Sequence, residues 1–415
     1  MRRPALWLIA AVIACAAPPT AQNASPSPTD QPATPTPIAS TTPISPTAPP
    51  SAAPGTPQIT RNDLSAHIRL VKSGWRPTGR TLVVTVADGL GTAKFIAVPN
   101  DARGEPVPFL ELTDAFGWQL RPDGRALAVA FTNGDDSARI ATLDLASGAA
   151  RWVTPDEPGI YDRSPVWSPD GSSIYYGESA STVANYGDRG LFRVSVDGSL
   201  GDLGTRLVHG PDRNGGDPVS VSPDGRWLSW TRGQAGGSTD VLDLSTGVNK
   251  TFDIAGASGL VAWRTTRPRA LVVSTGCCAG GPSGQLLLWD DVTGAATDAL
   301  GLSSSNLSPV GMALWNPTGT RFAVSVIDRP APDSRNVRNS PVSITIFDAS
   351  GTYRSKVPGT EAVWVLAWLP EGIVALGSSE DGTTELSLVS EAGGSPQVLY
   401  RTREQNFRLA AVVSP

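Results

Sequence analysis

The chain has 415 residues, 40% of them hydrophobic and 17% charged, with a net charge of −5 at pH 7. A mildly acidic chain sets up no global basic field for nucleic acid, and with only His67 and His209 a multi-histidine metal site is excluded. Glycine (43) and proline (37) are plentiful, which suits short strands and turns better than helices.

The first residues read as an address. Arg2 and Arg3 form a positive n-region, and Ala5 to Ile13 is an apolar run too short to span a bilayer comfortably. The stretch Val12-Ile13-Ala14-Cys15 resembles the bacterial lipobox, in which the cysteine is lipidated and becomes the new N-terminus. On that reading residues 1–15 are a signal and Cys15 carries the lipid; a plain signal cut nearby, with Cys15 discarded, is the alternative. Residues 16–61 follow as a linker. Thirteen of the 40 residues from 18 to 57 are proline and only Asp30 is charged. Such a segment cannot bury a core and favours extended states, with a reach of at most about 120 Å.

From residue 62 to 415 one pattern recurs. Pro77, Pro122, Pro169 and Pro223 are spaced by 45, 47 and 54 residues; Pro317 follows 94 later and Pro370 another 53 on. Two residues before each proline stands Trp75, Leu120, Trp167, Val221, Trp315 or Trp368, and a worn copy falls at Val261-Ala262-Trp263. The best copy is PVWSPDG at 165–171. Proline presets φ at the second turn position and glycine takes the left-handed one. A β-rich run follows each turn, and then a second turn family such as Asp144-Leu-Ala-Ser-Gly148 and Asp243-Leu-Ser-Thr-Gly247. The repeat therefore predicts four strands per 45–54 residues. A single sheet of that size cannot hide both faces, whereas radial stacking and ring closure can. The expectation is an all-β propeller of seven four-stranded blades, with six or eight as alternatives. His67–Val71 or the tail Leu409–Pro415 would seal the ring.

These units resemble the TolB-like, WD-related propeller repeats of bacterial envelope proteins, whose hallmark is the W-S-P-D-G turn. The resemblance covers about residues 62–415 and implies architecture more than function, because propellers host binders, scaffolds and enzymes alike.

Chemistry is sparse. No G-x-S-x-G elbow occurs, and the propeller is expected to stand without the hydrolase domain of prolyl-oligopeptidase-like enzymes. Cys277 and Cys278 are adjacent and can form a vicinal disulfide in an oxidising compartment or remain free thiols. Asp144-x-x-Ser147-Gly148-x-x-x-Trp152 resembles the docking turn of quinone-cofactor propellers, but the pattern is well formed only once. The tryptophans of the inner strands are expected to pack between blades.

Connectivity indicates where function should lie. In an up-and-down blade the second–third loops and the blade-to-blade loops share one rim, which here carries the long insertions 177–190, 209–218, 274–285 and 328–342. That rim gathers Tyr161, Asp162, Arg163, Tyr186, Arg189, Arg213, Arg335 and Arg338, residue types favoured at binding hot spots. The leading expectation is an exported, lipid-tethered, non-catalytic monomeric propeller without cofactor. Its rim would hold an envelope protein, peptide or glycan, with no role for nucleic acid. The alternative is a propeller enzyme, quinoprotein-like or a hydrolase or lyase, with its site at the channel mouth; a cluster of inward carboxylates with raised pKa would favour it.

Overall fold

The structure is a computed structural model that describes residues 64–413 except 78, 88–91, 102–103, 133–136, 183–184, 199–203, 209–215, 233–238, 253–259, 266–268, 275–284, 299–306, 329–341, 361–362, 380 and 405. The described strands form seven antiparallel sets of four, with one further strand on the outer edge of the first, arranged as a β-propeller. They are called blades 1 to 7 here, in chain order. Blade 3, for example, runs from its inner strand Ile160–Trp167 through Ser173–Thr182 and Asn185–Ser195 to its outer strand Thr205–Val208. A single parallel pairing, Ala138 with Tyr161, joins blade 2 to blade 3.

Middle strands such as Thr81–Ala87 (TLVVTVA) and Ala126–Thr132 (ALAVAFT) are buried on both faces, so they read as continuous apolar runs without alternation. Each face packs on a neighbouring blade. Leu127, Val129 and Phe131 share a cluster with blade 1, and Ala126, Ala128 and Ala130 share one with Trp167 and Ile174 of blade 3. The last blade packs on the first through Leu369, Val374 and Leu386 against Leu82, Val84 and Val86. This contact closes the ring.

Of the two chain segments that the sequence offered for closure, only the C-terminal one serves it. The C-terminal strand Phe407–Val413 is the inner strand of blade 1, paired antiparallel with Thr81–Val86. Ile68–Leu70 does not join the last blade, as expected for His67–Val71, but adds a fifth strand to the outer edge of blade 1 against Leu110–Leu112. Trp75, aligned by the repeat with inner-strand tryptophans, therefore lies outside any strand and stacks on Phe109 at 4.1 Å between ring centroids.

The turns are built as their residues dictate. Gly124, Gly171, Gly225 and Gly319 have φ between 65° and 73°. In the PVWSPDG copy, Asp170 accepts from the Ser168 and Ser172 hydroxyls and from the Ser172 N–H, which holds its carboxyl down at about 2. Three inner-strand tryptophans bridge blades. Trp167 Nε1 donates to the Gln119 carbonyl of blade 2, Trp263 Nε1 to Ser220 Oγ of blade 4, and Trp315 Nε1 to the Ala262 carbonyl of blade 5. Six of the seven inner strands also carry a register shift, with the extra residues two to four positions before the one aligned with Trp167. The repeat pattern gave no sign of it.

Candidate functional site

Among the described residues, blade 3 carries the longest hairpin. The stretch 177–190, expected as an irregular loop, instead prolongs the second and third strands as a two-stranded ribbon, with Glu178 opposite Gly190 and Thr182 opposite Asn185. The repeated turns had been the guide to strand ends, and this ribbon simply runs past them. Its register shifts between Glu178 and Ser179, so that Arg189 is the extra residue of a bulge. A bulge re-aims a side chain, and here it turns Arg189 onto two carboxylates. Arg189 Nε lies 2.8 Å from Glu178 Oε1, and Nη1 donates to Glu157 Oε2 at 3.1 Å.

Beneath this clamp lies a cavity of about 260 Å³ between blades 2 and 3, lined among others by Asp162, Tyr176, Glu178, Arg189, Phe192 and Arg206. Asp162 sits on the inner strand directly opposite Glu178 on the second strand; Cβ atoms of such facing pairs are about 5 Å apart. Both residues are buried, at 3% and 7% exposure. Burial is the main reason that the Asp162 carboxyl is pushed up to about 8; the neighbouring Glu178 and Glu157 charges add to it, while a hydrogen bond from Thr154 and the Arg139 charge oppose it. Asp162 thus holds a proton at neutral pH. The same burial, with Asp162 and Glu178 behind it, drives the Tyr176 hydroxyl well above the usual phenol range.

The blade 2 wall is equally fixed. Arg139 is 5% exposed; its Nε and Nη2 donate to the Thr154 carbonyl at 3.2 and 2.9 Å, and its guanidinium lies 4.4 Å over the Trp152 ring. Thr154 Oγ1 accepts from the Ile140 N–H. Trp152, the last residue of the quinone-docking pattern, packs under Arg139 and beside Phe131.

The rim residues separate by the period-two alternation of the inner strand. Asp162 faces blade 2, whereas Arg163 faces blade 4, where its Nε donates to Asp217 Oδ1 at 2.6 Å and its Nη1 to Ser179 Oγ at 3.1 Å. Tyr161 is half-buried at the pairing with Ala138. Tyr186 pairs through its backbone with Ser181 on the ribbon. Arg213, Arg335, Arg338, Cys15, Cys277 and Cys278 lie outside the described residues. Of the expected set, then, Asp162 and Arg189 meet in one cavity and Arg163 belongs to a neighbouring cluster. Glu157, Tyr176, Glu178 and Arg206 were missed. The recoverable signals were Glu157, in the blade 2 to blade 3 connection, and Glu178, inside the 177–190 stretch, since both fall on the long-loop rim.

No protein-family model matches the sequence, and no curated protein matches it. Solved structures do match the fold. The chain is similar to prolyl endopeptidases (15% identity, 80% of this chain and 50% of that chain, TM-score 0.53) and to prolyl oligopeptidase B from Galerina marginata (10%, 83% and 52%, 0.53). It is also similar to TolB from Acinetobacter baumannii (17%, 68% and 64%, 0.43). The chain spans about half the length of the two peptidases. At these identities the likeness shows the fold alone, a β-propeller.

Proposed function

We propose that the chain is an exported, lipid-tethered propeller that binds an envelope protein, peptide or glycan through the rim of blades 2 to 4. The observation that carries this reading is the rim cavity of blade 3, whose polar side chains are locked by ion pairs on a rigid ring. Sites of this kind, concave and fixed by a scaffold, are where binding concentrates. The N-terminal charges, the apolar run before Cys15 and the proline-rich segment 18–57 support export and tethering. Crosslinking in the intact envelope, followed by capture, tests the binding face. A partner should be enriched by wild type, lost with the pair Glu157→Gln and Arg189→Gln, and retained with Asp144→Asn on the opposite rim. Equal capture by all three would refute the rim. Cys15→Ser should release the chain from the membrane fraction, and unchanged partitioning would refute the anchor. Cys277 and Cys278 are proposed to form a disulfide, so alkylation without reductant should leave the intact mass unchanged.

A second reading, a hydrolase or lyase, is favoured by one observation. Asp162 is protonated near neutral pH while it faces the ion-paired Glu178. A carboxyl that keeps its proton, set opposite a second carboxyl, is an arrangement acid–base chemistry can use. Turnover of a glycan or peptide substrate abolished by Asp162→Asn, with binding retained, would select this reading over the first.

A further inference from the structure

The charged groups around the blade 3 cavity do not contribute equally to what it can hold. Each nearby arginine is already committed. Arg189 is clamped between Glu178 and Glu157. Arg139 is turned onto the Thr154 carbonyl and the Trp152 ring, with Asp156 3.7 Å from its Nη1. Arg206 rests its guanidinium 5.2 Å over the Phe192 ring. The group left in its less favoured charge state is Asp162, which burial obliges to keep a proton.

The aromatic lining adds an apolar wall beside the carboxyls. Tyr176 and Phe192 both line the cavity and are stacked, with centroids 5.6 Å apart. Arg206 already lies against the Phe192 ring, so what the stacked pair offers the cavity is an apolar wall for an alkyl stem. Gly204 keeps this wall in place, since a Cβ there would stand 2.3 Å from Tyr176 Oη. The volume of about 260 Å³ corresponds to roughly eight or nine waters, the size of a short alkyl chain with a charged head.

We propose that this cavity is a site for one organic cation, an alkylguanidinium or alkylammonium group of the kind that ends an arginine or lysine side chain. Asp162 and Glu178 receive the charged head, and the Tyr176–Phe192 pair covers the alkyl stem. The proposal rests on the reading of this rim as a binding face and names the chemistry it selects in a partner. Binding is coupled to proton release. A cation on the cavity floor favours ionised Asp162, so the Asp162 proton leaves to solvent as the ligand enters.

The test uses calorimetry on the purified full-length chain with four probes of like length: n-butylguanidinium, n-butylammonium, butyrate and 1-butanol. Saturable binding of the two cations alone is expected. Affinity should rise with pH, by about tenfold per unit below pH ~8, and each binding event should release about one proton, read from the dependence of the heat on buffer ionisation. Asp162→Asn should weaken binding at least tenfold and abolish the proton release. Glu178→Gln should weaken binding but keep it. No saturable binding of either cation by wild type, binding of butyrate equal to that of the cations, or unchanged affinity in both variants would overturn the proposal. Envelope capture reports separately on the rim. A captured partner without cation binding leaves the binding face standing and removes this inference; cation binding without a captured partner does the reverse, and makes a free amine the ligand.

Discussion

Replacing Asp162 by Asn separates a buried acid from an ordinary one. The residue is 3% exposed, and burial lifts its carboxyl from an ordinary value to about 8. Between the unfolded value of about 4 and that folded value, the native chain binds one more proton than the unfolded chain, so stability must fall as pH rises. The loss is about 1.4 kcal/mol for each pH unit, on the order of 5 kcal/mol by the time the pH passes ~8, and constant above that. Below pH ~4 both states are protonated and the penalty is absent. Asparagine keeps the shape and an oxygen for the Thr154 hydroxyl but does not titrate. Wild type and Asp162→Asn should therefore be close in stability near pH ~4.5 and diverge steadily toward pH ~8, with the variant the more stable. Urea midpoints followed by tryptophan fluorescence at half-unit pH steps measure the divergence. Parallel profiles would refute the buried neutral acid. A variant that loses stability with rising pH relative to wild type would mean that the Arg139 charge outweighs burial.

Three further expectations concern the ring. Gly177→Ala would set a Cβ 2.4 Å from the Gly216 carbonyl oxygen of the next blade, and overpacking against backbone should cost about 1–3 kcal/mol; unchanged denaturant stability would show that blades 3 and 4 are not that close. Trp315→Phe removes the hydrogen bond to the Ala262 carbonyl at 3.2 Å and should lower stability by roughly 1–3 kcal/mol, whereas an equal midpoint would deny the inter-blade bond any weight. Deleting residues 407–415 removes the strand that pairs with Thr81–Val86, and should replace one sharp thermal transition with a broad or absent one; a retained sharp transition would show that six complete blades and the four remaining strands of blade 1 close without it.

Much of this fold was legible because its turns repeat. Gly124, Gly171, Gly225 and Gly319 sit in the left-handed region that their turn type requires, and the strands between them follow. The tail was recognisable as an inner strand from its apolar run. The site was harder to read for two physical reasons. Asp162 and Glu178 are 16 residues apart and meet only because the strands pair in one register, which turn residues alone do not set once a hairpin runs past its expected end. Arg189 points where it does because of a bulge, and an inserted residue leaves no mark in a pattern of apolar and polar positions. Alternation along Ile160–Trp167 could have placed Asp162 and Arg163 on opposite faces. Treating the rim as one surface instead merged two separate clusters, one toward blade 2 and one toward blade 4.

The closure of blade 1 also sets a schedule. Strand Phe407–Val413 is made about 320 residues after Thr81–Ala87, its partner. At synthesis rates of about 5–20 residues per second, that is roughly 16 to 60 s. For all of that time the inner edge of Thr81–Ala87 offers unpaired backbone groups to any passing strand. The other blades have no such wait, because each takes its four strands from one continuous stretch. The first blade to leave the ribosome is thus the last to be finished.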